Sequence, residues 1–308
     1  MTKWGIASTI KADAQTILNF AAYHIELGAH RLYLYLDDAN AKAEALLKAH
    51  PKVRVITCDD AWWRKRFSKR PEKHQVRQSM NATHAYQRRV EVDWLTHIDV
   101  DEFLFSNNAL ESQLQAIPAA AMTARVRPAE VLSDGDGTAF KAAPPSDGNR
   151  EATMKRLYPQ CGPHLKAGFL SHLAGKIFVR TGAPNVELRI HNAFFDGVQN
   201  PGESELPATT LCHLHTQSWD HWMTHFRFRL AQGSYRADLA STAAGKHGTT
   251  LHVLLSLLFE EEGETGLRVF FDEVCADTPQ LRQRLEAEGL LKLIDLKLDE
   301  KRNRVFPQ

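Results

Sequence analysis

Asp99 and Asp101, in the run WLTHIDVDEFLF (residues 94–105), are the pair of side chains whose type and spacing best suit chemistry. Read as a strand, the run alternates its side chains, which puts both carboxylates on one face and Val100 on the other. Two carboxylates held close repel each other and are costly to desolvate. The usual remedy is a cation, and oxygen ligands of this kind suit Mg²⁺ or Mn²⁺. An ion that shares its ligands with a diphosphate neutralises charge as a leaving group departs. The plainer reading is an acidic strand end that caps the following turn. A lone Asp-x-Asp is common by chance, so its weight depends on the elements that carry it.

Those elements alternate. A short apolar strand at Gly5 to Ala7 precedes a helix with Ile17, Leu18, Ala21, Ala22 and Ile25 at helical spacing, and Gly28 is placed to end it. HRLYLYLDD reads as a second strand, NAKAEALLKAH as a second helix with Pro51 beyond it, and KVRVITCDD as a third strand. HQVRQSMNATHAYQRRVEV reads as a third helix and WLTHIDVDEFLF as a fourth strand. Strands alternating with helices predict parallel pairing in a three-layer α/β/α sandwich, Rossmann-like in its order. Ligands of such sheets sit beyond the carboxyl ends of the strands. Three of the four strands end there in aspartates: Asp37 and Asp38, Asp59 and Asp60, Asp99 and Asp101.

The middle of the chain is less regular. RVRPAEVLSDGDGTAFKAAPPSDGNREAT reads as a long loop, GKIFVRT, VELRIHNAFF and TTLCHLHT as strands, and SWDHWMTHFRFRLAQGSY as a helix. From about Gly248 the pattern is helical, through TLHVLLSLLFEE and PQLRQRLEAEGLLKLI. The expected division is a main domain over 1–244 and a C-terminal helical segment over 245–308, whose leucines suit packing on that domain or on a second subunit of a homo-oligomer.

Composition narrows the classes. Hydrophobic residues make up 43% of 308, enough for a core, and the net charge of +1 gives no field for nucleic acid. No apolar run reaches the ~18 residues of a membrane span, and MTKWGIASTIKADAQ lacks the apolar stretch of a secretion signal. The four cysteines form no CxxC pair and read as reduced thiols, so the expected location is cytoplasmic.

FAAYHIELGAHRLYLYLDD, RQSMNA and WLTHIDVDEFL, in this order, resemble the family-2-like glycosyltransferases of the GT-A fold, in particular a branch with YH…LG early and DVDEF at the metal site. The resemblance covers residues 4–105 well and 165–235 loosely. It implies that Asp99 and Asp101 bind a divalent cation and the diphosphate of a nucleotide sugar. It further implies nucleotide contacts from Thr9 and Lys11 after the first strand, from Asp37 and Asp38 at the end of the second, and from Arg77, Gln78 and Asn81 on the helix before the acidic run. His213, ahead of HTQSWDHW, matches a histidine that closes the active site and reaches the metal. Two places depart from the family pattern. DDANAKA has Ala39 and Ala41 where an acidic turn is usual, and the usual Lys-Asn-Glu after the first strand is KAD, ending in Asp13.

Several residues keep a plainer reading beside the functional one. His213 and His215 fit a hydrogen-bonded structural pair as well as a metal. A zinc-hydrolase reading fails, because Asp220 and His221 lie too far beyond His215 for a tight HxHxDH run. RKRFSKRPEKH (64–74) reads as a solvated loop, with phosphate or an anionic glycan as its functional alternative. Trp219 and Trp222 read as core. An inverting transfer, which the resemblance implies, needs a base for the acceptor hydroxyl. Glu130, downstream of the acidic run, is the first candidate for that base, with Glu187 and Asp220 as competitors.

The resulting expectation is a cytoplasmic, metal-dependent GT-A glycosyltransferase of polysaccharide biosynthesis. It would move a sugar from a nucleotide diphosphate sugar to a hydroxyl of a glycan or glycoconjugate, with Mn²⁺ or Mg²⁺. The alternatives are a non-catalytic sugar-nucleotide or glycan-binding relative, and a metal-dependent phosphohydrolase.

Overall fold

The structure is a computed structural model of the chain and describes residues 1–88, 90–165, 167–231, 233, 235 and 250–307. The first elements are β1 (Trp4–Ile10), α1 (Ala14–Glu26), β2 (Arg31–Leu36), α2 (Ala41–Ala49), β3 (Val53–Thr57), α3 (Asp60–Phe67), α4 (His74–Gln87), β4 (Trp94–His97) and β5 (Glu102–Ser106). Then come α5 (Leu110–Gln115), β6 (Thr123–Val131), β7 (Ala139–Ala142), α6 (Arg150–Leu157), β8 (Lys176–Arg180), β9 (Val186–Leu188), β10 (Ala193–Phe195), β11 (Val198–Gln199) and β12 (Ser204–His213). The chain continues through α7 (Trp219–Ala231), α8 (Leu251–Val274), α9 (Pro279–Ala287), β13 (Leu291–Leu293) and α10 (Leu298–Val305). It divides into two units. One comprises Met1–Arg127, Ala174–Leu211 and Leu296–Gln308; the other comprises Pro128–Leu173 and Cys212–Asp295.

The first unit holds the expected α/β layers. β1 pairs in parallel with β2 and with β4, and β2 with β3, while β8 runs antiparallel to β4. β1 is buried along its whole length and β2 along all but its first residue, so both faces of the sheet are covered. On one face, Ala82, Ala85 and Tyr86 of α4 pack with Ala7, Tyr33, Tyr35 and Leu95. α1 starts at Asp13, whose carboxylate accepts from the Thr16 amide at 3.0 Å, so the departure noted at Asp13 is a helix cap. α1 ends at Gly28, with φ +107°, a conformation that glycine adopts without strain. α10 docks on α1 through Arg304 Nε to Glu26 Oε1 at 2.8 Å and Arg302 Nη1 to Asn19 Oδ1 at 2.7 Å.

The second unit has its own core. Trp222 and Phe226 of α7, Leu267, Phe270 and Phe271 of α8, and Leu285 of α9 are buried together with Met154 and Leu157 of α6. The reading of Trp222 as core thus matches its placement. Within this unit, β6 pairs with β7 from Ala129 onward, and β13 pairs with β7.

Several expectations need correction. WLTHIDVDEFLF is two strands, β4 and β5, separated by a turn that carries Asp99 and Asp101, so strand alternation does not set their direction. RVRPAEV is buried strand rather than loop. Its Pro128 falls after the last pairing of β6 with β8, at Val126, and before the first with β7, at Ala129. RKRF closes helix α3 instead of opening a loop, and Asp59 caps that helix by accepting from the Trp62 amide at 2.7 Å. LKL is strand β13 rather than helix, because Gly289, at φ +67°, stops α9. The expected 244/245 boundary and the helix start near Gly248 lie outside the described residues, and Leu296–Gln308 fall in the first unit. Among the described residues no helix is long and apolar enough to cross a membrane. All four cysteines are free and buried.

Candidate functional site

Strand ends and α4 bring several predicted residues together in the first unit. β1 and β4 pair with Ala7 opposite His97, and β1 and β2 with Ala7 opposite Tyr33. Alternation from these positions puts Thr9, Asp37 and His97 on the α4 side of the sheet at its carboxyl edge. Asn81 of α4 is fully buried there, and its Nδ2 donates to Thr9 Oγ1 at 3.1 Å and to Cys58 Sγ at 3.7 Å. Asn81 Oδ1 and both ring nitrogens of His97 are buried without a hydrogen-bond partner. Such groups are costly to leave unsatisfied, and they give this edge spare polar capacity.

Asp37 is buried and fastened. Arg77 Nε donates to its Oδ1 and Oδ2 at 3.1 and 2.8 Å, and Arg70 Nη2 to Oδ1 at 3.1 Å. Burial pushes the Asp37 carboxyl up, but hydrogen bonds from His74 and Arg77 and the charges of Arg77 and Arg70 outweigh it and hold the group below its ordinary value. Arg77 Nη1 also donates to the carbonyls of Pro71 and Glu72 at 2.8 and 2.7 Å. Much of its donor capacity therefore ties the 70–74 stretch to the end of β2. Lys11 and Asp38, by contrast, form an exposed pair at 3.7 Å.

The acidic turn is held from three sides. The Glu102 amide donates to the Asp99 carbonyl at 3.1 Å, and the Asp99 amide donates to Glu102 Oε2 at 2.8 Å, closing the turn. Gln78 Nε2 donates to Asp99 Oδ1, and Lys176 Nζ, almost fully buried, lies 2.6 Å from Asp99 Oδ2 and 3.2 Å from Glu102 Oε2. Burial lowers the Lys176 pKa, but the two carboxylates outweigh it and the ammonium is held above its ordinary value. Lys176 thus sets one positive charge against the carboxylates of Asp99 and Glu102. The oxygen donors of this turn are chemically suited to Mn²⁺ or Mg²⁺.

Behind the turn, the early YH motif grips β5. Tyr23 Oη donates to the Leu104 carbonyl at 2.9 Å, and the Leu104 amide donates to His24 Nε2 at 3.3 Å. The His24 ring stacks on Phe103 with centroids 5.8 Å apart. Sequence reasoning used Tyr23 and His24 as family marks and missed this work. It missed Lys176 altogether, for which a lysine opening an apolar strand gives no signal.

In the second unit, His213 ends β12 and its ring lies 5.1 Å from that of His215. The stretch after them is pinned in place. Arg229 Nη2 donates to the His215 carbonyl at 3.1 Å and Ser133 Oγ to the Thr216 carbonyl at 2.6 Å. Glu130 is buried in β6, where its Oε1 and Oε2 accept the amides of Ser171 and Leu170 at 2.6 and 3.1 Å. Lys141 Nζ lies 3.7 Å from Glu130 and donates to the carbonyls of Gly168 and Val274 at 2.6 and 2.7 Å. Both Glu130 oxygens thus anchor the 168–171 loop, a setting unlike the open one expected of an acceptor base. Of its competitors, Glu187 is exposed and paired with Arg189 at 2.9 Å, and Asp220 is exposed in the first turn of α7.

Residues 7–123 match the model of glycosyltransferase family 92, and this stretch contains every nucleotide-contact and cation residue predicted in the first unit. The match supports the expected class of enzyme, a glycosyltransferase, and it names family 92 where the sequence resembled family 2. No curated protein matches the chain. Solved structures similar to parts of it include HddC from Yersinia pseudotuberculosis, at 11% identity and a TM-score of 0.33 over 67% of this chain and 90% of that one. A galactosyltransferase LgtC, in complex with donor and acceptor sugar analogs, aligns at 11% identity and a TM-score of 0.28 over 57% of each chain. GalNAc-T7 with UDP, GalNAc and Mn²⁺ aligns at 11% identity and a TM-score of 0.40 over 100% of this chain and 58% of that one. The chain therefore spans little more than half of the last two.

Proposed function

We propose that this protein moves a sugar from a nucleotide diphosphate sugar to a hydroxyl of a glycan or glycoconjugate, with inversion and with the help of a divalent cation. One observation carries the reading: the acidic turn of Asp99 and Asp101 follows β4, the strand parallel to β1, at the edge where Thr9, Asn81 and the fastened Asp37 meet. Ligands of parallel sheets bind at that edge. Thr9, Lys11, Asp37, Asp38, Arg77, Gln78 and Asn81 would seat the nucleotide, some directly and some, like Arg77, by fixing the strand ends.

Asp99, Asp101 and His213 would hold the cation, Mn²⁺ or Mg²⁺, with His215 beside His213. When bound, that ion would neutralise charge on the departing diphosphate. Gln78 and Lys176 orient Asp99 for this work, and Lys176 keeps the carboxylates together until the ion is present. Glu130 is the base that its place in the sequence proposes. Its geometry also makes it the anchor of the 168–171 loop, and substitution separates the two roles. The C-terminal helices are proposed to lie outside the donor site. The four free, buried cysteines support a cytoplasmic setting, with polysaccharide assembly as the wider process.

A calorimetric titration with UDP, with and without Mn²⁺, tests the reading. Binding is expected only with the metal and is expected to be lost in Asp101→Asn with the fold intact. Unchanged UDP binding in that variant would overturn the cation assignment. Release of free sugar or phosphate from a nucleotide sugar without an acceptor would favour a phosphohydrolase instead.

A further inference from the structure

Within the first unit, a groove of about 940 Å³ runs between the last turn of α3, the outer side of α4 and residues 187–192. It is not the strand-end site. Asn81 leaves α4 toward β1 and Gln78 toward the acidic turn, whereas Gln75, Ser79, Thr83 and Gln87 line the groove. These four residues recur every fourth position and so form one row along the helix. Met80 and Phe67 supply apolar surface, Lys65 and Arg66 add two cations to the lining, and Arg189 is paired there with Glu187 at 2.9 Å.

The free capacity of this lining is specific. Among the described residues, the side chains of Lys65, Arg66, Gln75, Ser79 and Gln87 have no hydrogen-bond or ion-pair partner. Amide and hydroxyl groups both donate and accept, which is what successive sugar hydroxyls require. A lipid chain would leave them unpaired, at a cost in binding. A small anion would use the cations and leave the row idle. Cations in the lining match a carboxylate carried by the saccharide, and Met80 and Phe67 can cover the C–H face of a ring.

We infer that this groove binds an acidic oligosaccharide, holding the glycan acceptor at a distance from the transfer site. The inference rests on the reading that the acceptor is a glycan.

Binding of trigalacturonate, measured by calorimetry on the full chain, tests it against maltotriose and inorganic phosphate. Trigalacturonate is expected to bind at least about tenfold more tightly than maltotriose. A Lys65→Glu, Arg66→Glu double variant should weaken it by at least about tenfold, and Ser79→Trp, which fills the groove, should abolish it. UDP binding with Mn²⁺, measured on the same samples, should not change, so failure of the groove and failure of the donor-site reading are told apart. Absence of trigalacturonate binding, binding indifferent to both variants, or full competition by phosphate would each overturn the inference.

Discussion

The amide of Leu104 donates to His24 Nε2 at 3.3 Å, across 80 residues of sequence. The bond ties the last turn of α1 to the strand that leaves the acidic turn, and Tyr23 ties the same residue by its carbonyl. Positioning of Asp99 and Asp101 therefore depends on a helix that carries none of the proposed ligands.

This bond sets a pH dependence. His24 is fully buried, and burial pushes its pKa from 6.5 to about 3. A histidine whose folded pKa is depressed contributes stability that is complete above its unfolded value and lost as pH falls below about 6.5. Between pH 7 and 5, His24 alone should cost about 2 kcal/mol of unfolding free energy. His97, also pushed to about 3 by burial and by the charge of Lys176, adds to the loss. Urea melts at the two pH values should show a smaller loss for His24→Gln than for the parent. Equal losses would show that His24 does not titrate on unfolding.

Arg77→Ala should act first on stability. It removes two hydrogen bonds from a carboxylate whose side chain is wholly buried. Loss of one partner of a buried pair costs about 3 kcal/mol or more, lessened here because Arg70 remains. The lowered pKa of Asp37 means that its contribution is present above about 3.8 and is lost as pH falls through the folded value. The variant should lose less stability than the parent as pH falls below about 3.8, because part of the acid-sensitive contribution of Asp37 is already gone. A normal acid transition, with weakened UDP binding alone, would make Arg77 a direct donor contact.

The parallel order of β1 to β4 was legible because helix and strand periods alternate cleanly there, with Gly28 and Pro51 as punctuation. Asp37, Asn81 and Asp99 were singled out through a resemblance, and α4 links them through Arg77, Asn81 itself and Gln78. What stayed hidden depends on contacts far apart in the chain. Pro128 masked β6, since a proline between two ladders looks like a loop. The anchoring work of Glu130 stayed hidden too, since its partner Lys141 and the amides of Leu170 and Ser171 follow at separations that sequence does not reveal.

Glu130→Gln should lower the melting temperature. One amide oxygen can still accept from the loop, but the other end of the side chain now presents donors to the backbone amide it faced, and Lys141 loses its charge partner. Truncation of a buried ion pair costs about 3–5 kcal/mol, and a neutral isostere should cost less. Transfer should then fall in proportion to the folded, loop-ordered fraction. An unchanged melting temperature with transfer reduced about 10²-fold or more would instead assign the base role to Glu130.

Lys176→Met should destabilise the protein and at the same time sharpen its response to a cation. In the parent, the ammonium sits between Asp99 and Glu102, and its raised pKa keeps that contribution complete below about 10.5, so neutral pH does not perturb it. The methionine fills similar volume but leaves the carboxylates facing each other, at a cost of about 3 kcal/mol. Protonating one carboxylate relieves the repulsion, so the deficit against the parent should be larger at pH 7 than at pH 5. A divalent cation relieves it too. If Asp99 and Asp101 hold the ion, saturating Mn²⁺ should raise the melting temperature of the variant more than that of the parent, because ligand binding to the native state stabilises it in proportion to affinity. Mg²⁺ serves as a second divalent probe and Na⁺ at equal ionic strength as the control for screening. A rise that Na⁺ reproduces would reduce the effect to general screening, and no rise in either protein would remove the cation from this turn.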